Sequence, residues 1–176
     1  MANGTLKVSN IQTSSGSGTI TIGQSGETVT VASGVTQTIA VSTPAFFAKQ
    51  TSSQSIANDT VVKITNNSED FDSDGTYDNS SNYRFTPAVA GKYYVFAQVA
   101  IDGSTDTDVF AWLYKNGSEF IQSNYFYRCT PIVSAIMDLD ADDYVEVYAK
   151  QQSGSTRTSL ASSRQNNFGA YRIIGA

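Results

Sequence analysis

Ten consecutive residues, Lys92 to Ile101, read KYYVFAQVAI, and a period of two runs through them. Tyr93, Val95, Ala97, Val99 and Ile101 fall on one face of an extended strand, and Tyr94, Phe96 and Gln98 on the other. A strand with rings or aliphatic groups on both faces has to be covered on both. The run DVFAWLY (108–114) repeats the pattern, setting Val109, Ala111 and Leu113 against Phe110, Trp112 and Tyr114. AFFAKQ (45–50), VVKI (61–64), EFIQSNYFYR (119–128), PIVSAIMDL (131–139), DYVEVYAK (143–150) and NFGAYRIIG (167–175) also read as strands. Turn residues separate them at 102–107, 115–118, 140–142 and 153–155. Strands at this spacing with no helical period between them predict an all-β antiparallel sandwich. About 130 residues are enough to bury a core in such a fold.

The first 43 residues have a different chemistry. Lys7 and Glu27 are the only charged side chains before Pro44, and the segment holds no aromatic residue. Four β-favouring tetrads recur there, TLKV (5–8), TITI (19–22), TVTV (28–31) and TIAV (38–41), separated by Gly/Ser clusters. Isolated strands this short are marginal in water, so stacked turns or neighbouring chains would have to supply the missing surface. The segment is expected to be a thin β-rich stalk, with a flexible linker as the alternative. The domain boundary is accordingly placed at 1–43 and 44–176.

Several chemistries are removed by composition. There is no histidine, which takes away the commonest general base and the commonest zinc ligand. Cys129 is the single cysteine, so no intramolecular disulfide framework exists. The net charge of −5 disfavours phosphate backbones, and nucleic acid is not an expected partner. No run approaches the roughly 18 apolar residues of a membrane span, so no membrane insertion is expected. The opening MANGTLKVSN lacks the charged and apolar regions of a secretion leader, which predicts assembly in a cytoplasm.

Two acidic clusters are candidate metal sites. Asp70, Asp72 and Asp74, followed by Gly75, match the start of a calcium loop, D-x-D-x-D-G. The twelfth position is Ser81 instead of glutamate and no flanking helices are predicted, so a solvated turn is the competing reading. Asp138, Asp140, Asp142 and Asp143 read as a solvated hairpin. No catalytic residue and no organic cofactor is assigned; calcium is the one cofactor left open.

Three turn features set register. Pro87 suits a strand edge or corner, Gly91 a positive φ before a buried strand, and Asn116-Gly117 a two-residue hairpin. YRFTPAVAGKYYVFAQV (83–99), with Phe85, Pro87, Gly91 and Tyr93, resembles the central signature of the C1q globular-head and tumour-necrosis-factor-like superfamily. AFFAKQ resembles that family's opening strand, WLYKNG (112–117) its L-x-K-N-G hairpin, and NFGAYRIIG its closing strand. MDLDADDYVEVYA (137–149) resembles its penultimate hairpin, with Asp142 where a turn glycine is usual. The resemblance implies a ten-strand antiparallel jelly roll assembling as a compact homotrimer. Phe46, Tyr94, Phe96, Tyr125, Tyr127 and Tyr171 are the aromatic residues in excess of what one core needs, and are expected at the interface.

A Gly/Ser/Thr-rich stalk before a C1q-like knob resembles marine phage fibre tips. The expected function is therefore a non-enzymatic trimeric fibre knob on the virion surface that attaches to a host receptor, glycan or protein. Its first 43 residues would join other virion structural proteins. Loops 102–107, 122–130 and 153–166, rich in Ser, Asn, Asp and Tyr, are the expected contact surfaces. Two alternatives stay open: a capsid decoration or head-fibre protein that stabilises the shell, and a glycan depolymerase using paired carboxylates.

Overall fold

The computed structural model describes residues 43–103, 107–124, 126–127, 130–161 and 165–173, with Ile11, Gly26, Thr28 and Ser33 as isolated positions. The chain divides into two units, Met1–Ile39 and Ala40–Ala176. The expected stalk and Cys129 lie outside the described residues, as do the side chains of Tyr125 and Tyr127.

The strands in chain order are β1 (Ala45–Lys49), β2 (Ser55–Ile56), β3 (Val62–Lys63), β4 (Ser68–Asp72), β5 (Tyr77–Asp78), β6 (Arg84–Phe85) and β7 (Gly91–Gln98). They continue with β8 (Asp108–Lys115), β9 (Ser118–Gln122), β10 (Phe126–Tyr127), β11 (Ile132–Leu139), β12 (Val145–Gln151), β13 (Arg157–Thr158) and β14 (Asn167–Arg172). No helix occurs among the described residues. One sheet runs β11-β7-β14-β1-β4, the other β10-β8-β12-β6-β5, with β9 also on β8 and β3 also on β12. A small β13-β2 pair completes the set, and every strand pairing is antiparallel. First and last strands are neighbours, β1 on β14, in the centre of one sheet. The sequence pattern predicts this antiparallel sandwich, and the resemblance implies its jelly-roll topology.

The period of two in β7 works as expected. Tyr93, Val95 and Ala97 are fully buried and face the second sheet, where Val109, Ala111 and Leu113 of β8 and Val145, Val147 and Ala149 of β12 close the core. One end of that core is aromatic. Phe46 stacks on Tyr77 at 4.7 Å and on Phe85 at 4.8 Å, and Phe168 meets it edge-on at 4.9 Å. The Tyr77 hydroxyl donates to the Asn66 carbonyl at 2.9 Å, and burial pushes its pKa far up, so it stays protonated. Phe46 therefore belongs to the core and not to the interface set. On β1 the inward parity falls on Phe46 and Ala48, and the outward one on Phe47.

Of the stretch Asp70–Gly75 read as a solvated turn, Asp70–Asp72 belong to edge strand β4, paired with β1 across a register shift, and residues 73–75 bend. The charges of β4 hide the strand signal, because neither face is buried: Asp70 and Phe71 are exposed, and Ser68, Glu69 and Asp72 are only partly covered. Asp142, where the family pattern has glycine, needs no positive φ. The turn is closed by the Asp143 amide donating to the Asp140 carbonyl at 3.2 Å, while the Asp140 amide donates to the Asp143 carboxylate at 2.7 Å. Asn116-Gly117 does form the two-residue hairpin between β8 and β9, with φ of 52° and 76°.

Candidate functional site

The outward face of the five-stranded sheet is built from three cross-strand rows. Ala45, Tyr171, Tyr94 and Ile136 form the first, read across β1, β14, β7 and β11. Phe71, Phe47, Gly169, Phe96 and Ser134 form the second, now reaching β4. The third is Lys49, Asn167, Gln98 and Ile132. Two rows are almost wholly apolar, and the third supplies a polar margin where the Asn167 amide donates to the Gln98 carbonyl at 3.3 Å.

Rings connect along this face. Phe47 and Phe96 lie 6.2 Å apart, Phe96 and Tyr94 5.8 Å, and Tyr94 and Tyr171 5.6 Å. Gly169 makes the centre possible: a Cβ there would stand 2.5 Å from Phe96 Cζ and 3.1 Å from the Phe46 carbonyl oxygen. The Phe96 ring therefore lies directly on the β14 backbone. Around this nucleus Ile132 is 60% exposed, Ile136 62%, Phe71 54% and Tyr171 45%. Side chains of that size are normally covered, and burying each isoleucine is worth roughly 1.5–3 kcal/mol. A contiguous apolar area of this kind marks an interaction surface.

Of the expected interface residues, Tyr94, Phe96 and Tyr171 stand on this face. Phe47, Phe71, Ile132 and Ile136 were missed. The alternation in PIVSAIMDL carries a signal for the last two, since Val133, Met137 and Leu139 are buried and Ile132 and Ile136 share the opposite parity. Phe71 had no such signal, being flanked by acids in a segment read as a turn.

Solved structures share the fold of this chain. It matches the Eiger TNF of S. frugiperda at 14% identity and a TM-score of 0.57, covering 75% of this chain and 93% of that one. Murine APRIL matches at 11% identity and a TM-score of 0.58, with 73% of this chain and 98% of that one covered. The globular domain of zebrafish complement 1qA matches at 14% and 0.52, covering 74% and 98%. This is the TNF and C1q jelly-roll fold. No family model matches the sequence, and no curated protein sequence matches it.

Within this jelly roll the calcium candidates are separately engaged. Asp70 forms an ion pair with Lys49. Asp72 accepts from the Tyr77 amide at 2.8 Å and from the Thr76 hydroxyl at 3.2 Å, and Asp74 accepts from the Ser73 hydroxyl. Among the described residues no three acidic side chains gather into a group that could hold a metal ion. In the second acidic set Asp143 is paired with Lys115 at 2.8 Å. That contact, with the Asn116 amide, holds its carboxyl down at about 2.

The described parts of the three contact loops lie at one end of the sandwich, where β7 ends. The Asp102 amide donates to the Thr158 carbonyl at 2.8 Å, and the Val99 amide to the Pro131 carbonyl at 3.1 Å. Buried Asn166 joins them, accepting from the Ala100 amide at 2.7 Å and donating to the Ala100 and Leu160 carbonyls. Residues 104–106, 125, 128–129 and 162–164 of these loops lie outside the described residues.

Proposed function

We propose that the protein is a non-enzymatic structural subunit of a virus particle. Three copies close around the outward face of the five-stranded sheet, and the resulting knob carries three identical loop sets toward a host surface. The observation that carries this reading is the continuous apolar face from Phe71 to Ile136, with no strand or loop of the described residues set over its isoleucines. The five strands hold 32 residues, which at about 3.3 Å by about 4.8 Å each give a face of roughly 500 Å². That is short of the roughly 800 Å² each partner gives a stable pairwise interface, and a closed ring in which each copy touches two others makes up the difference.

Threefold closure is what the resemblance to C1q and TNF-like domains implies. The aromatic-free, Gly/Ser/Thr-rich first 43 residues support a fibre placement on the virion surface, with that segment joining the particle. Repeating weak loop contacts three times raises avidity without a strong single site. The lack of histidine and of a gathered acidic group among the described residues supports a binding role over a catalytic one.

Sedimentation of the intact chain tests the assembly, with a species three times the 18.9 kDa chain expected. A folded single-chain species at micromolar concentration overturns it. Electron microscopy of the particle tests the placement. Density at a fibre tip supports host attachment, density on the shell transfers the protein to capsid decoration, and absence from particles overturns the virion assignment.

A further inference from the structure

A cleft of about 340 Å³ opens at the other end of β7 from the contact loops. It is lined by Asp74, Thr76, Asp78, Asn82, Arg84 and Thr86, from the turns around β5 and β6. Its volume falls in the range of small-molecule sites.

The Arg84 guanidinium is the main unspent group. It lies 4.5 Å over the Tyr144 ring, and among the described residues it makes no hydrogen bond or ion pair. The Thr86 hydroxyl and the Asn82 side-chain carbonyl are also without partners among the described residues, and one Asp74 oxygen is free likewise. By contrast both oxygens of Asp78 are committed, accepting from the Ser80, Ser81 and Asn82 amides at 3.0, 2.9 and 3.1 Å and from the Asn82 side chain at 2.7 Å. Those amides hold its carboxyl well below the usual carboxylate range, so it is ionised at neutral pH. Two non-glycine residues in the left-handed region, Tyr83 at φ 50° and Ala88 at φ 59°, bracket the segment that presents Arg84 and Thr86. Strain of this kind is held in place by the surrounding structure and is concentrated at ligand sites.

Charge selects the ligand class. An anion would meet Arg84 but also Asp74 and Asp78, while Glu146, opposite Arg84 across the ladder, is already paired with Lys63 at 3.0 Å. A cation would face Arg84 and find Asp78 already saturated. What remains is a neutral molecule dense in hydroxyls, which can accept from the guanidinium and donate to Asn82, Thr86 and Asp74. The geometry points to a binding site for a neutral hexose in the Asp74–Arg84–Thr86 cleft, three per assembly if the chain is trimeric. This site goes beyond the loop-borne contacts of the proposed function and does not depend on which end of the knob faces outward.

The test is amide NMR of the intact labelled protein titrated with D-glucose, D-galactose and D-mannose, and separately with D-glucuronate and inorganic phosphate. At least one neutral hexose is expected to give saturable shifts confined to residues 74–88, with Kd on the order of 1 mM. Arg84→Lys, which keeps the charge but loses the planar fork, should weaken binding about tenfold with an unchanged melting temperature. Thr86→Val, a change of one hydroxyl, should weaken it by a smaller factor. No saturable shift with any of the three hexoses, equal affinity in both variants, or tighter binding of glucuronate or phosphate overturns the site. Sedimentation of the same samples separates the two ideas. Loss of hexose binding in an intact assembly sinks the site alone, and hexose binding by a monomer sinks the assembly alone.

Discussion

Two residues show how much a single atom decides here. At Gly169 a methyl group would fall 2.5 Å from Phe96 Cζ and 3.1 Å from the Phe46 carbonyl. Gly169→Ala is therefore expected to push the Phe96 ring off β14 and lower stability by about 1–3 kcal/mol, read as a lower melting temperature. Asp143 acts through charge. Its carboxyl is held at about 2, below its ordinary 3.8, first by the hydrogen bond from Lys115 and then by that from Asn116. A carboxyl depressed in the folded state contributes stability above its unfolded value, and that contribution is lost as pH falls from about 4 toward 2. The wild-type melting temperature should drop through that window, and Asp143→Asn should show a shallower drop when both are followed by calorimetry.

Among the elements, the β8–β9 hairpin shows local chemistry and long-range contact working together. Asn116-Gly117 sets the turn by its own backbone preference, while the Asn116 side chain accepts from the Tyr144 amide at 2.9 Å and donates to Asp143 at 2.6 Å. Gly117 sits at φ 76°, where an L side chain costs roughly 1–2 kcal/mol, and its added Cβ would lie 3.3 Å from the Tyr144 hydroxyl. Gly117→Ala should lower the urea midpoint by that free energy divided by the slope, about 0.5–1 M at roughly 2 kcal/mol/M, without changing the slope. This hairpin and the long strands β7, β8, β11, β12 and β14 were legible in the sequence, because their alternation matches the burial it produces. Strands β2, β5, β6 and β13 were not. Each has two residues, too few for a period; β2, β13 and β6 pair with strands far along the chain, and β5 pairs only with β6.

For the whole molecule, the five-stranded sheet has two apolar sides with different duties. Phe46→Ala removes the ring at the centre of the aromatic core and should cost about 3–5 kcal/mol, seen as unfolding at lower denaturant. Ile136→Asp places a charge on the exposed side, where the single chain loses little. That variant should stay folded and sediment at 18.9 kDa. Its melting temperature should be independent of protein concentration, whereas that of the wild type should rise with it. A variant that still assembles would show that the outward face is not the interface.

Period-two patterning by itself determined that the chain is an antiparallel β sandwich, and it placed Tyr94 and Phe96 opposite the core-facing residues of β7. Those are local properties, since the alternation of side chains along a strand depends on nothing beyond the strand. Which of the remaining rings lie inside and which outside was decided only by tertiary structure. Phe46 and Phe47 are adjacent and chemically alike, and the register of β1 against β14 sends one into the core and the other to the surface. The cleft at Arg84 is of the same kind. Its groups come from turns whose approach is set by the pairing of β5, β6 and β12, a contact between residues about 60 positions apart.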